Sequence, residues 1–117
     1  LRFKRNCEIS KMKLRKKILN IKKQRKSIAG YAATSKSTTI LNYCGINNSH
    51  IDFICDTTKD KIGKFTPKTH IPIVNVDYFR KNIPDFTFLF AWNHKDEIFK
   101  KEKKILNKTN WFAHINI

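Results

Sequence analysis

The chain of 117 residues carries 25 Lys and Arg against 9 Asp and Glu, a formal net charge of +16, with 40% hydrophobic and 12% aromatic residues. This length suits one domain, and the apolar content is too high for a disordered tail. No apolar run approaches the roughly 20 residues that span a bilayer, and the opening segment is too charged for a signal-peptide core, so a soluble, cytoplasmic protein is expected.

The charge is unevenly spread. Residues 1–26 hold twelve Lys and Arg against the single acid Glu8, which assigns +11 to this segment and +5 to the rest. A cationic segment of that kind attracts polyanions, so a non-enzymatic nucleic-acid-binding module is the alternative function. A general bias to Lys, Asn and Ile supplies the same charge without any selected partner. Cys7, Cys44 and Cys55 show neither metal-ligand spacing nor an even count and are expected to be reduced thiols. His50, His70, His94 and His114 are scattered, with no neighbouring Cys to complete a zinc site, and no metal is expected. The chain opens on Leu1 and runs directly into charged residues, and a fragment of a longer polypeptide is expected.

In chain order, Phe3, Cys7, Leu14, Ile18 and Ile21 recur three, four or seven apart, with Met12 and Leu19 at the margins. This predicts an amphipathic helix over residues 3–26. The short apolar run 27–32 reads as a buried first strand. Thr38, Ile40, Leu41, Tyr43 and Cys44 then mark a helix of about ten residues that Gly45 can terminate. Residues 51–56 form a second strand with Asp56 at its end. A long loop through residue 70 leads to a third strand at 71–76, where Pro72 favours a strand start or an edge.

Asp77 can cap a short helix through Lys81, and Pro84 breaks it. Residues 86–92 are the most hydrophobic strand candidate and are expected at the centre of the sheet. Residues 94–107 read as a helix with Ile98, Phe99, Ile105 and Leu106 inward, and 111–117 close with strand-like alternation. Five strands alternating with helices predict an α/β fold with a mostly parallel sheet and helices on both faces, although the second crossover lacks a helix. Ligands in such sheets gather at the C-terminal strand ends, near the point where strand order reverses. The turn after Ala32, Asp56 and Trp92 are therefore the places for a site.

Gly30-Tyr31-Ala32-Ala33-Thr34-Ser35-Lys36-Ser37-Thr38 joins the first strand to the first short helix, where backbone N–H groups, hydroxyls and Lys36 can hold a phosphate. The alternative is a plain strand-to-helix turn capped by Ser or Thr. Ala32 and Ser35 stand at the second and third glycine positions of the dinucleotide fingerprint, and no GxxxxGK[ST] run is present, so NAD or ATP binding is not expected. Asp56 is placed to bond a ribose or to cap its loop. Lys61, Lys64, Lys68 and His70 lie in the long loop and can meet a diphosphate or simply face solvent. Trp92-Asn93-His94 follows the hydrophobic strand, with His94 available as a base and Asn93 as a helix cap. No nucleophile–base pair and no paired carboxylates are visible, so a binding crevice is expected and no catalytic residue is assigned.

Taken in order, these pieces resemble the C-terminal domain of the sugar C-methyltransferases. The resemblance rests on Gly30-Tyr31-Ala32-Ala33-Thr34-Ser35-Lys36 with Leu41-Asn42-Tyr43-Cys44-Gly45-Ile46, and on Ile51-Asp52-Phe53-Ile54-Cys55-Asp56. It continues through Lys61-Ile62-Gly63-Lys64-Phe65-Thr66-Pro67, Thr69-His70-Ile71-Pro72-Ile73-Val74 and Ala91-Trp92-Asn93-His94-Lys95-Asp96-Glu97-Ile98, and it covers roughly residues 27–117.

The resemblance implies a Rossmann-like three-layer sandwich over residues 27–117, preceded by a basic connecting helix at 1–26 whose apolar stripe docks on the rest of the enzyme. It implies an accessory domain that packs on a methyltransferase catalytic domain and helps enclose a nucleotide-linked deoxysugar. S-adenosylmethionine and zinc are expected only in the full-length family enzyme, and this chain by itself is expected to be inactive. The substrate contacts it implies are Gly30, Tyr31, Ala32, Thr34, Ser35, Lys36, Ser37, Thr38 and Asn42 around the first turn. The remainder are Asp56, Lys61, Gly63, Lys64 and His70 in the loop, and Trp92, Asn93 and His94 after the fourth strand. Three departures stand out from the usual family runs GYGAxxKGNT, DRNPxKQG and PGTHIP. Ala32 and Ser37 replace two glycines of the first, the second loses its Arg and Pro at Thr57 and Lys59, and Lys68 replaces the glycine of the third.

Overall fold

A computed structural model of the chain describes residues 2–32, 35–90 and 94–113, the side chains of 2–10 and 35–38 excepted. A long helix α1 (Arg2–Lys23) leads into β1 (Ile28–Tyr31), α2 (Ser35–Cys44), β2 (Phe53–Asp56) and β3 (Ile73–Asn75). There follow α3 (Val76–Lys81), β4 (Phe86–Leu89), α4 (Lys95–Lys101), a 3-10 helix (Lys103–Lys108) and β5 (Asn110–Phe112). The five strands form one sheet in the order β3-β2-β1-β4-β5, and every pairing is parallel. The fold is therefore α/β with an N-terminal helix, as the alternation predicts.

Because successive side chains on a strand point to opposite faces, the sheet carries two cores. Ile28, Ile54, Phe88 and Phe112 face one way, where α1 supplies Leu14, Ile18 and Ile21 and α2 supplies Leu41 and Cys44. Ala29, Tyr31, Cys55 and Leu89 face the other way, against Val76 and Phe79 of α3, Ile105 of the 3-10 helix and the half-buried Ile98 and Phe99 of α4. The Leu14, Ile18 and Ile21 stripe of α1, expected to dock on another part of the enzyme, instead packs on this domain's own sheet. Isolated, a helix so rich in Lys gains little, and burial of this stripe stabilises it where it lies.

The helix ends follow local chemistry. Gly45 sits at φ +67, and Ile46 N–H bonds the Leu41 carbonyl at 2.9 Å, which closes α2 as its glycine predicts. The cap of α3 is Asn75, not Asp77: Tyr78 N–H donates to Asn75 Oδ1 at 2.9 Å. Asn75 holds the extended backbone of the strand end that a capping residue needs, while Asp77 is already helical and pairs with Arg80 at 3.5 Å.

Two further expectations change. The middle strand is β1, and the hydrophobic β4 lies one place outward. Crossover connections set strand order, and the β3–α3–β4 connection carries the chain past β2 and β1; hydrophobicity reflects burial by the helices on both faces. The helix expected at 94–107 breaks at Glu102 and continues as the 3-10 helix. Pro72 precedes β3, an edge strand. The last residues of the predicted fourth strand and residues 114–117 lie outside the described residues.

Candidate functional site

Strand order reverses between β1 and β4, so their C-terminal ends open the crevice in which ligands of such sheets bind. The Phe90 N–H bonds the Tyr31 carbonyl at 3.3 Å and the Ala32 N–H bonds the Cys55 carbonyl at 2.8 Å, which ties the ends of β4, β1 and β2 together. Ser35 and Lys36 open α2, the helix that follows β1. No acidic residue stands in the first turn of α2, so no carboxylate of that turn competes for its positive end.

Several predicted contacts are placed differently from one another. Gly30 is buried within β1, and a Cβ on it would stand 2.5 Å from the Phe90 ring and 2.9 Å from Ile54 Cγ1; its smallness serves the packing of the sheet. Tyr31 is buried on the opposite face, with its hydroxyl donating to Glu102 Oε2 at 2.7 Å. Ala32 adopts φ +74, the left-handed backbone that the usual family glycine takes without cost. Asp56 accepts the Thr58 N–H at 2.9 Å, the loop-capping arrangement. His94 is exposed at the start of α4 and makes no side-chain cap, while Asn42 is exposed on α2.

The long loop returns along the sheet edge. Gly63 N–H bonds the Ile73 carbonyl at 2.9 Å, and Ile73 N–H bonds the Lys64 carbonyl at 2.8 Å. Asn48 N–H bonds the Thr69 carbonyl at 3.0 Å, at the approach to β2. The neighbouring His70 thus lies at the N-terminal end of the sheet, a strand's length from the β1–α2 turn. Lys68 and His70 hold φ +64 and +55. Buried Thr66 anchors this stretch: its Oγ1 contacts Thr69 Oγ1 and accepts the Ile71 N–H at 2.9 Å. Thr34, Trp92 and Asn93 lie outside the described residues, as do the side chains of Ser35, Lys36, Ser37 and Thr38.

One polar cluster is not visible in the sequence. Glu102 is 2% exposed and takes bonds of 2.9 Å from both Arg80 Nε and Arg80 Nη2, beside the one from Tyr31. Burial works to raise its pKa, but the bonds from Arg80 and Tyr31 outweigh it and hold the carboxyl below its usual range. Burial first, then the bond to Glu102, pushes the Tyr31 hydroxyl up. The only hint in the sequence is position: Glu102 is four residues after Ile98 and three after Phe99, at the C-terminal end of α4. Burial also pushes the Cys55 thiol up to about 12, so it is an inert core group and not a nucleophile.

The described residues at these strand ends are committed to the domain's own packing and form no cradle for the methyl donor of a methyltransferase. Phe90 and Ile54 fill the space beside Gly30, the Ala32 N–H is taken by Cys55, and the Asp56 carboxylate holds its own loop. Among the described residues no cluster of three or more His, Cys, Asp or Glu can hold a metal, and no helix is long and apolar enough to cross a membrane.

A parallel sheet of order 3-2-1-4-5 with its crevice at the β1/β4 reversal defines a Rossmann-like α/β domain without a catalytic set of its own among the described residues. The sequence profile of the C-methyltransferase C-terminal domain matches residues 1–115, and the chain belongs to that family. The match includes α1. The chain is similar to a curated relative, the C-methyltransferase NovU of Streptomyces niveus, at 33% identity over 110 residues. That alignment covers 94% of this chain and 26% of the relative, so the chain spans about a quarter of the longer enzyme.

Proposed function

We propose that this domain serves as the accessory C-terminal part of a cytoplasmic, S-adenosylmethionine-dependent C-methyltransferase, and that it helps bind a nucleotide-linked deoxysugar. The observation that supports this reading is the family match across residues 1–115 combined with a crevice at the β1/β4 reversal that shows no catalytic set among its described residues. The methyl donor, and any zinc, belong to parts of the longer enzyme outside this chain. Here the β1–α2 turn with Lys36 binds the sugar nucleotide's diphosphate, with Asp56, Lys61 and His94 around the same end of the sheet. The domain packs on the catalytic part and completes the enclosure of its substrate. The free thiols of Cys44 and Cys55 suit a reducing compartment.

Calorimetric titration of nucleoside diphosphates and nucleotide-sugars into the intact chain and its Lys36→Ala variant tests the site. Saturable binding that weakens about tenfold in the variant is expected, since one charge-assisted phosphate contact is worth roughly 1.5 kcal/mol. Binding that is equal in both places the diphosphate elsewhere. A chain that binds no nucleotide, alone or with the catalytic part present, defeats the substrate-binding reading.

A further inference from the structure

The outer side of α1 leaves two large apolar side chains, Met12 and Leu19, uncovered. Its inner stripe is committed, with Leu14, Ile18 and Ile21 at 2%, 0% and 5% exposure. One flank is committed too: Arg15 Nη1 bonds the Cys44 and Gly45 carbonyls at 2.8 and 3.0 Å, and Lys11 stands 4.8 Å over the Tyr43 ring. Lys17 and Lys26 likewise lie over Phe112 and Phe86. Four of the segment's cations are thus used inside the molecule, which leaves less of its charge for a polyanion.

Beyond that flank, Met12 and Leu19 are 67% and 41% exposed. Seven residues apart, they lie on one line of the helix and line a shallow, open groove along α1 together with Lys13, Arg15, Lys16, Asn20 and Lys23. No acid lines this groove. An apolar centre with a cationic rim is complementary to an apolar surface with an acidic rim. A second copy of the chain is disfavoured as occupant, because it would set lysines against lysines across the contact. The family match begins on α1, and in the family this domain is C-terminal, so α1 is the element nearest in sequence to the methyl-donor-binding part.

We propose that the Met12 and Leu19 face of α1 is the surface on which the methyl-donor-binding part of the longer enzyme docks, through an acidic-rimmed apolar patch of its own. This rests on the reading that the domain packs on a catalytic part. Met12 and Leu19 supply the apolar contacts, and Lys16 between them with Lys13 and Lys23 beside them cover apolar area with their stems and pair with carboxylates at their tips.

The test measures association of the intact chain with the NovU polypeptide lacking the quarter that this chain matches, for wild type, a Met12→Asp/Leu19→Asp double variant and a Phe65→Asp control. Phe65 is also exposed, at 62%, but lies on the long loop. Thermal melting checks that each variant folds. Association that weakens with added salt, falls at least tenfold in the double variant and is unchanged in the control is the expected result. Equal binding by the double variant overturns the docking face while leaving the proposed function standing. Absence of wild-type binding overturns the packing reading itself. A dimer of the chain that the double variant disperses overturns the choice of partner.

Discussion

The two faces of the sheet bury their surfaces by different means. Against α1 and α2 the described core is held by apolar packing, from Leu14 and Ile18 through Phe88 stacked on Phe90 at 4.2 Å to Phe112. Against α3 and α4 the core also contains polar groups: the Tyr31, Glu102 and Arg80 cluster and the Thr87 to Thr109 hydroxyl pair at 2.8 Å. Apolar packing is tolerant of pH and of exact partner geometry. A buried carboxylate holds only while its donors are present, because an unpaired buried charge costs far more than the pair returns. The first face therefore fixes where the helices lie, and the second fixes which residues must meet.

Removing a member of the polar face is expected to have the largest effect. Glu102→Ala leaves Arg80 with only the longer bond to Asp77 and Tyr31 without its acceptor, and a loss of about 3 kcal/mol in urea unfolding is expected, held to the lower end because the Arg80 side chain is 39% exposed. The same carboxylate sets a pH dependence. Its folded pKa lies below the ordinary value of 4.5, so its stabilisation is full above that value and fades as pH falls through the folded one. Wild type should lose stability on acidification below about pH 4.5 more steeply than Glu102→Gln; parallel curves for the two proteins would show that another carboxylate governs acid unfolding.

On the apolar face, Gly30→Ala forces a methyl group against Phe90 and Ile54. A loss of roughly 2 kcal/mol is expected by chemical denaturation, the usual scale for overpacking. Should stability be unchanged, Phe90 has room to retreat and the tight packing of this face is not a constraint. Tyr31→Phe removes a single hydrogen bond from the other core while its ring stays packed against Phe79 at 5.4 Å; about 1 kcal/mol should be lost, measurable as a lower melting temperature.

The smallest effect has the opposite sign. Ala32 at φ +74 takes a backbone that a side chain disfavours, so Ala32→Gly should raise stability by about 0.5–1 kcal/mol. A gain in melting temperature without altered far-UV dichroism would establish that the turn keeps a glycine geometry on an alanine. A decrease would show that the surrounding turn relaxes to suit the methyl group.

Local signals in the sequence were sufficient for the periodic elements. The 3.6-residue spacing of Leu14, Ile18 and Ile21, the short apolar runs of β1, β2 and β4, and Gly45 at a helix end each carry their meaning within a few neighbours, because helix and strand periodicity and capping are local chemistry. The alternation of those elements is enough to require a parallel sheet, and the resemblance of the runs from Gly30 to His94 points to the family. The candidate site was legible only in part. The sequence groups Asp56, Lys61, Gly63, Lys64 and His70 in one loop, while the fold carries His70 to the other end of the sheet.

What tertiary structure alone decided is whatever depends on residues far apart in the chain. Gly30 reads as a phosphate-turn glycine until Phe90 and Ile54 close around it. Glu102 reads as one more charge in a lysine-rich run until Arg80, 22 residues away, and Tyr31, 71 residues away, meet it in the core. What the Leu14, Ile18 and Ile21 stripe of α1 packs against was likewise settled by the sheet beneath it. A sequence sets the period of a helix, but the partner surface decides which side is buried, since burial is a property of two surfaces and not of one.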